Sequence, residues 1–287
     1  DPTTMVSKKK GESDWSAVWL EAFATVVFVT LSAGVVAISN NVALEELLPP
    51  RLVLIALGQG FAYMIALYFT SVFARGGLGY LNPGLTLAVL LTNHAHGRYR
   101  WSGSPGWRAL WLILAQLGGS VVASVVVMAT NPSTNTGYKE LGAPAIGYGS
   151  SDVSAFAFEA VCTLLLTWVT LSNVCKTSLS SQVLVSPVAI SVTYIGLQFF
   201  AFPFTGACFN PARALGPLVV ANRYKDFLIF MTAPLLGAVA GAFLFSLTFL
   251  NQDRLLGIGV GSRNKDEVLE AKVMAERRSK RRRQPVV

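Results

Sequence analysis

Six runs of apolar residues, each long enough to cross a lipid bilayer, constrain the fold of this 287-residue chain more than any other feature. A bilayer core of about 30 Å requires about 20 apolar residues in helical form. Because lipid offers no hydrogen-bond partners to the backbone, each run is predicted to be a helix. The predicted spans cover residues 15–38, 51–73, 106–129, 153–174, 183–202 and 225–250.

The composition excludes an ordinary soluble domain. Hydrophobic residues make up 53% of the chain and charged residues only 13%, whereas a soluble domain carries about 25% charged residues. The net charge is +8, and its cations cluster near both ends, at 8–10 and at 277–283. In a membrane protein such clusters usually mark the cytoplasmic side and contact anionic lipid, so we prefer this interpretation to nucleic-acid binding.

The distribution of cations between the connecting segments orients the spans. Segments 93–108 and 175–182 carry cations and are predicted to be cytoplasmic, whereas 130–151 is predicted to be an outside loop. Six spans then place both termini in the cytoplasm. We therefore expect a cytosolic segment over 1–14, a multi-pass membrane domain over 15–250 and a basic cytosolic tail over 251–287.

Residues that carry catalytic chemistry are sparse in this sequence. Cys162, Cys175 and Cys208 form no close pair and no metal-ligand spacing. No nucleophile–base pair and no metal cluster is evident. We expect neither an enzyme nor a metal or cofactor site.

Two further apolar runs, Leu85–Leu91 and Ala212–Val220, are too short to span. Each is preceded by an Asn-Pro dipeptide, Asn82-Pro83 in the first case and Asn210-Pro211 in the second. Proline suits the first turn of a helix because its missing N–H costs nothing there. The pattern predicts two short helices, which at membrane depth must be buried in protein or line a cavity.

The two halves of the membrane domain, about 15–129 and 153–250, repeat one pattern. Each opens on Glu-Ala-x-x-Thr, beginning at Glu21 in the first half and at Glu159 in the second, and each later reaches its Asn-Pro dipeptide. Three spans per half force the halves into opposite orientations, with functional groups expected at the midplane where they meet. The matched glutamates are predicted to accept hydrogen bonds from the re-entrant backbone. The alternative is an interfacial glutamate at each helix start.

Two Asn-Pro boxes, with Arg213 directly after the second, resemble the aquaporin (major intrinsic protein) family, and the run from Thr205 to Pro217 is highly specific for it. The resemblance covers about residues 15–250. It implies an all-α membrane fold of six transmembrane helices plus two re-entrant half-helices in an inverted repeat. It also implies a water channel without cofactors that assembles as a homotetramer with one pore per subunit.

In that family the boxes form the centre of the pore. Asn82 and Asn210 would cap two half-helices whose positive N-terminal ends meet, and would donate N–H groups to a passing water. Such a water cannot relay protons along the file, and the positive field repels cations. The alternative is two ordinary caps without a pore.

The first box departs from the family pattern because Gly84 replaces alanine and removes a methyl from the expected contact between the half-helices, whereas the second box keeps Pro211 and Ala212.

The resemblance also implies a selectivity filter built from four positions. Three of them fall on Arg213, Ala207 and Gln198, and the fourth falls on either Gln59 or Ala62, of which we favour Gln59. Two glutamines would give a polar constriction that differs from both the water-only and the glycerol pattern.

Several functions stay open at this point. The leading hypothesis is a water channel, and the second is a channel for glycerol, urea, ammonia or hydrogen peroxide. A membrane scaffold with a closed pore and a secondary transporter are further alternatives, but a transporter requires more ionisable residues in its core. Whether the Cys208 thiol faces the pore and confers mercury sensitivity is also open.

Overall fold

The structure is a computed structural model that describes residues 15–41, 48–73, 78–92, 104–130, 140–147, 149–176 and 185–250. These residues form helices and no strand. The helices are α1 (Trp15–Asn41), α2 (Leu48–Phe73), α3 (Pro83–Leu91), α4 (Pro105–Thr130), α5 (Asp152–Lys176), α6 (Ser186–Thr205), α7 (Pro211–Val220) and α8 (Phe227–Phe245). The predicted segment 1–14 and tail 251–287 lie outside the described residues, as does the side chain of Cys175.

The predicted fold class is confirmed, with six helices long and apolar enough to cross a membrane and two short ones that begin at Pro83 and Pro211. The fifth span, predicted near 183–202, corresponds to α6, which runs from Ser186 to Thr205. The helix continues past Pro203 and ends where Gly206 adopts a left-handed φ of 72° and donates to the Phe202 carbonyl. Glycine adopts that conformation without a Cβ penalty, so the stop signal is the glycine and not the proline.

The chain divides into two compact units at Phe243. Of the second unit, the structure describes the last turn of α8 and a π-helical turn, Ser246–Leu250. Within it the Thr248 hydroxyl donates to the Leu244 carbonyl over 2.9 Å, and the Phe245 and Phe249 rings lie 5.1 Å apart. The remaining description concerns the first unit.

The helices of the first unit place apolar side chains outward and polar side chains inward. Trp19 and Leu228 are each 73% exposed. By contrast Gln59, Gln116 and Glu159 are fully buried. Water would disfavour this arrangement, whereas a lipid environment favours it because lipid solvates the apolar surface and the protein satisfies the polar groups.

The two short helices lie inside the bundle. Helix α1 packs against α2 and α4, α2 against α6, and α5 against α6. Helix α3 contacts α4, α5 and α7, while α7 also contacts α4 and α1. The N-terminal residues Pro83 and Pro211 are both buried, so the re-entrant segments begin in the interior as predicted from their length.

Two glycines lie at equivalent close contacts between helices in the two halves of the repeat. A Cβ on Gly119 of α4 would lie 2.6 Å from the Ala22 carbonyl oxygen of α1, and a Cβ on Gly237 of α8 would lie 2.2 Å from that of Ala160 in α5. Ala22 and Ala160 each follow the glutamate that opens a repeat. The same close helix crossing therefore occurs in both halves and is possible only because these positions lack a side chain.

We predict that Gly119→Ala lowers the stability of the folded chain by about 1–3 kcal/mol, since overpacking a tight contact shifts backbone. A Cβ on the neighbouring Gly118 would have no atom of another element within 4 Å, so Gly118→Ala is the matched control and should be neutral or slightly stabilising, since alanine favours a helix more than glycine does. Thermal unfolding in detergent measures the difference. Equal melting temperatures for the two variants would show that the α1–α4 contact is not close.

Candidate functional site

Two asparagines cap the short helices at the centre of the bundle. Asn82 has an extended backbone, and its Oδ1 accepts the Gly84 N–H over 2.8 Å. Asn210 is equally extended, and its Oδ1 accepts the N–H groups of Ala212 (2.9 Å) and Arg213 (3.3 Å). Both are N-caps of the ordinary kind, and both are almost fully buried.

The same asparagines bond across to the opposite half of the repeat. The Asn82 Nδ2 donates to the Phe209 carbonyl over 2.9 Å, and the Asn210 Nδ2 donates to the Leu81 carbonyl over 2.8 Å. This reciprocal exchange holds the two helix N-termini together. Each side-chain amide has two N–H donors, so the second one stays available to another acceptor.

The carbonyls that receive these bonds belong to strained residues. Leu81 has a φ of 54° and Phe209 a φ of 53°, a left-handed conformation that costs a residue with a side chain roughly 1–2 kcal/mol. They are equivalent positions, each directly before its asparagine. The conformation therefore needs support from the surrounding structure.

Two buried carboxylates supply that support. Glu21 accepts the N–H groups of Tyr80 (2.6 Å) and Leu81 (3.0 Å), one on each oxygen. Glu159 accepts those of Cys208 (2.9 Å) and Phe209 (2.6 Å) in the same way. Each glutamate thus holds the strained residue whose carbonyl faces the opposite asparagine.

Each half-helix is also fixed to a long helix. The Ser120 hydroxyl of α4 donates to the Ala212 carbonyl and accepts the Gly216 N–H over 2.9 Å. On the other side, a Cβ on Gly84 would lie 3.0 Å from the Ala238 methyl and 3.2 Å from the Pro234 carbonyl. The methyl missing from the first box would therefore contact α8, and its contact with the other half-helix stays a prediction.

A pair of glutamines lies beside these boxes. The Gln59 Nε2 of α2 donates to the Gln198 Oε1 of α6 over 2.9 Å, and the Gln198 Nε2 donates to the Ala207 carbonyl over 2.7 Å. Both glutamine side chains are fully buried. The alternative position Ala62 lies in the same apolar cluster as Leu197 and Ala207. The structure thus brings together Gln59, Gln198 and Ala207, and their role as a filter stays a prediction.

Arg213 lies in the first turn of α7 and is only 2% exposed. Its Nε and Nη1 have no hydrogen-bond partner among the described residues. A buried guanidinium donates strongly to oxygen. The N–H groups of these two nitrogens therefore have unused donor capacity inside the protein.

The Cys208 thiol faces an apolar cluster. It lies 3.3 Å from the Asn210 carbonyl and packs with Ala214, Leu218 and Phe230. The thiol therefore faces this cluster and the Asn210 backbone, and whether it reaches a pore stays a prediction.

The sequence argument missed Tyr63, Tyr194 and Ser120. Tyr63 follows Gln59 by four residues and Tyr194 precedes Gln198 by four, so both share a helix face with a predicted filter residue. That spacing was the available signal for the tyrosines. Ser120 had no signal beyond its place directly after Gly119.

We predict that Glu159→Gln disrupts the second re-entrant loop. The new side-chain amide presents N–H groups where two backbone N–H donors need acceptors, and each unsatisfied buried donor costs about 1–3 kcal/mol. The matched control is Glu140→Gln, because Glu140 forms a partly exposed ion pair of 2.7 Å with Arg223 that is worth about 0–1 kcal/mol. Melting temperatures in detergent should fall for the first variant alone. An unchanged value for Glu159→Gln would contradict the supporting role.

Comparisons with known proteins agree with this arrangement. Residues 8–245 match the family described as "Major intrinsic protein". Aquaporin NIP1-3 of Oryza sativa subsp. japonica is 32% identical over 197 residues, which are 67% of this chain and 61% of that protein. Aquaporin-4 of Bos taurus is 27% identical over 238 residues, 82% of this chain and 68% of that protein.

Among solved structures, the aquaglyceroporin of Plasmodium falciparum superposes with a TM-score of 0.65 at 17% identity, over 85% of this chain and all of that one. This likeness concerns the fold. The paired boxes, the repeat and the family match over most of the chain lead to one conclusion: this integral, multi-pass membrane protein belongs to the major intrinsic protein family.

Proposed function

We propose that the chain is a passive transmembrane channel for water that excludes protons and ions. The observation that carries this proposal is the reciprocal bond exchange of Asn82 and Asn210, which holds two helix N-termini together in the interior. Each terminus carries about half a positive charge. Two such termini repel a cation that approaches them without repelling a neutral solute.

The second N–H of each asparagine supports proton exclusion. A water that accepts from both Asn82 and Asn210 turns its oxygen toward them and its hydrogens outward. It then cannot accept a proton from one neighbour while donating to the next, so the relay along a water file is broken.

The Gln59–Gln198 pair and Arg213 support selection among neutral solutes. The amides offer both donors and acceptors, whereas the guanidinium offers donors only. Because Gln59 and Gln198 bond directly to each other over 2.9 Å, a solute must replace that bond to pass between them. Water does so with little displacement of the side chains, which favours water over glycerol or urea.

The setting in the cell and the assembly are further parts of the proposal. We place both termini in the cytoplasm and expect a homotetramer with one pore in each subunit. A chain that stays monomeric in several mild detergents and in lipid would contradict the tetramer. That outcome would not contradict the channel function, because the proposed pore lies within each subunit.

The test of the function is stopped-flow light scattering on proteoliposomes under gradients of sucrose, glycerol and urea. Water permeability well above that of empty liposomes is expected, with little glycerol or urea permeability. An assembled, monodisperse protein that adds no water permeability would refute the channel and favour a closed scaffold. Comparable water and glycerol permeabilities would favour the broader neutral-solute channel instead.

We predict that Arg213→Val retains water flux but weakens the exclusion of protons and small cations. The guanidinium is a fixed charge, and its loss removes one of two electrostatic barriers while the asparagines keep the other. Proton flux is measured with a pH-sensitive dye inside proteoliposomes. Arg223→Val is the control, since Arg223 pairs with Glu140 at a partly exposed position, and it should exclude protons as the parent chain does. Equal proton exclusion in both variants would remove Arg213 from the filter.

A further inference from the structure

Three aromatic rings form a layer one helical turn from the glutamine pair. The ring centroids of Phe28 and Tyr63 are 5.0 Å apart, those of Tyr63 and Tyr194 are 5.1 Å apart, and those of Phe28 and Tyr194 are 6.3 Å apart. The rings come from α1, α2 and α6. Together they form what we call the aromatic layer.

The aromatic layer lies between the glutamine pair and the asparagine boxes. Gln198 bonds to the carbonyl of Ala207, whereas Tyr194, one turn earlier on α6, contacts the Phe209 ring with centroids 5.9 Å apart. Phe209 directly precedes Asn210. Along this loop, Tyr194 therefore contacts a residue nearer to the asparagine box than the residue that Gln198 contacts.

The side chains of the aromatic layer are closed off from solvent. Phe28 is 0% exposed, Tyr63 2% and Tyr194 1%. Yet the Tyr194 hydroxyl is a buried polar group with no hydrogen-bond partner among the described residues, and so is the Gln59 Oε1.

We propose that Tyr63 and Tyr194 are specificity-determining residues that form a second constriction, which limits solute size more strictly than the Gln59–Gln198 pair. This inference rests on the proposed channel function and names its size-limiting step. A water passing the layer satisfies the Tyr194 hydroxyl as it displaces the rings. A three-carbon polyol must separate the rings further and is excluded.

The glutamine pair alone does not account for such exclusion. Its closure depends on one hydrogen bond between two flexible side chains, and a hydroxylated solute can replace that bond with its own. Tyrosine rings have few rotamers and offer mainly apolar edges and faces to a polyol. Two constrictions in series pass only what the stricter one admits, so with the glutamine pair removed the aromatic layer still discriminates against glycerol.

The experiment measures the ratio of glycerol to water permeability of the full chain in proteoliposomes. We expect Tyr194→Ala and Tyr63→Ala to raise this ratio by about tenfold, the order of discrimination that an apolar pocket of fixed size provides. Gln198→Ala should raise the ratio less than either tyrosine variant because the aromatic layer remains, and Gln198→Ala combined with Tyr194→Ala should raise it most. If Tyr194→Ala is not monodisperse, Tyr194→Leu carries the same expectation.

Two controls separate size from other effects. Tyr194→Phe keeps the ring and removes only the hydroxyl, so glycerol should stay excluded. Phe61→Ala removes a ring from the outer face of α2, where Phe61 is 48% exposed, and should leave both permeabilities unchanged. A ratio raised by Gln198→Ala but by neither tyrosine variant would overturn the proposal, as would a parent chain that passes glycerol as readily as water.

Cysteine labelling tests the location of the aromatic layer without any flux. Tyr63→Cys and Tyr194→Cys should react with a small methanethiosulfonate reagent beyond the level of the parent chain. Phe230→Cys is the control, because Phe230 is fully buried in the apolar cluster around Cys208, and it should stay unreactive. If no variant conducts, the channel function fails, and this labelling still decides whether the tyrosines line a passage. Tyrosine variants as unreactive as Phe230→Cys would overturn the inference.

Discussion

Two buried carboxylates hold the geometry on which the rest of the site depends. Leu81 and Phe209 adopt left-handed backbone conformations that are unfavourable for residues with a side chain. Glu21 and Glu159 bind the N–H groups of these residues, and the carbonyls then face the opposite asparagines. Without the carboxylates, nothing would stabilise the backbone conformation that directs these carbonyls toward the asparagines. The asparagines would then lose their acceptors, and the hydrogen bonds that hold the two helix N-termini together would be lost. Burying an acidic residue in a membrane costs free energy, and the hydrogen bonds from the backbone donors offset that cost.

The inverted repeat explains why this arrangement occurs twice but not identically. Both halves contain the glutamate, the left-handed residue, the capping asparagine and a glycine at the helix crossing. The neighbours differ, however. Gln116 donates to Glu21 over 3.1 Å, whereas Glu159 instead accepts the Thr205 hydroxyl over 2.7 Å. Each half thus satisfies its carboxylate with the polar side chains available to it, so the common geometry does not require common sequence.

The sequence predicted the elements of this structure better than the contacts between them. Span lengths follow from bilayer thickness, and the short helices follow from their Asn-Pro starts, so both could be read from residue type alone. The end of α6 lies later than 202 because the helix continues until Gly206 adopts a left-handed conformation, which residue type alone does not specify. The contact of Gly84 with α8 was not predicted. Such contacts depend on how helices cross, which spacing along one helix does not specify.

Helix α4 is the element that fixes both half-helices relative to each other. The Gln116 side chain bonds to Thr86 of α3 over 2.8 Å as well as to Glu21, and Ser120, one turn later, bonds to Ala212 and Gly216 of α7. Helix α8, the counterpart of α4 in the repeat, meets α3 at Gly84 through a carbonyl and a methyl. Because hydrogen bonds fix direction while apolar contacts mainly fix distance, the alignment of the two N-termini depends more on α4 than on α8. The hydrogen bonds of α4 thus align the two half-helices, and they add to the support that the glutamates of both repeats provide.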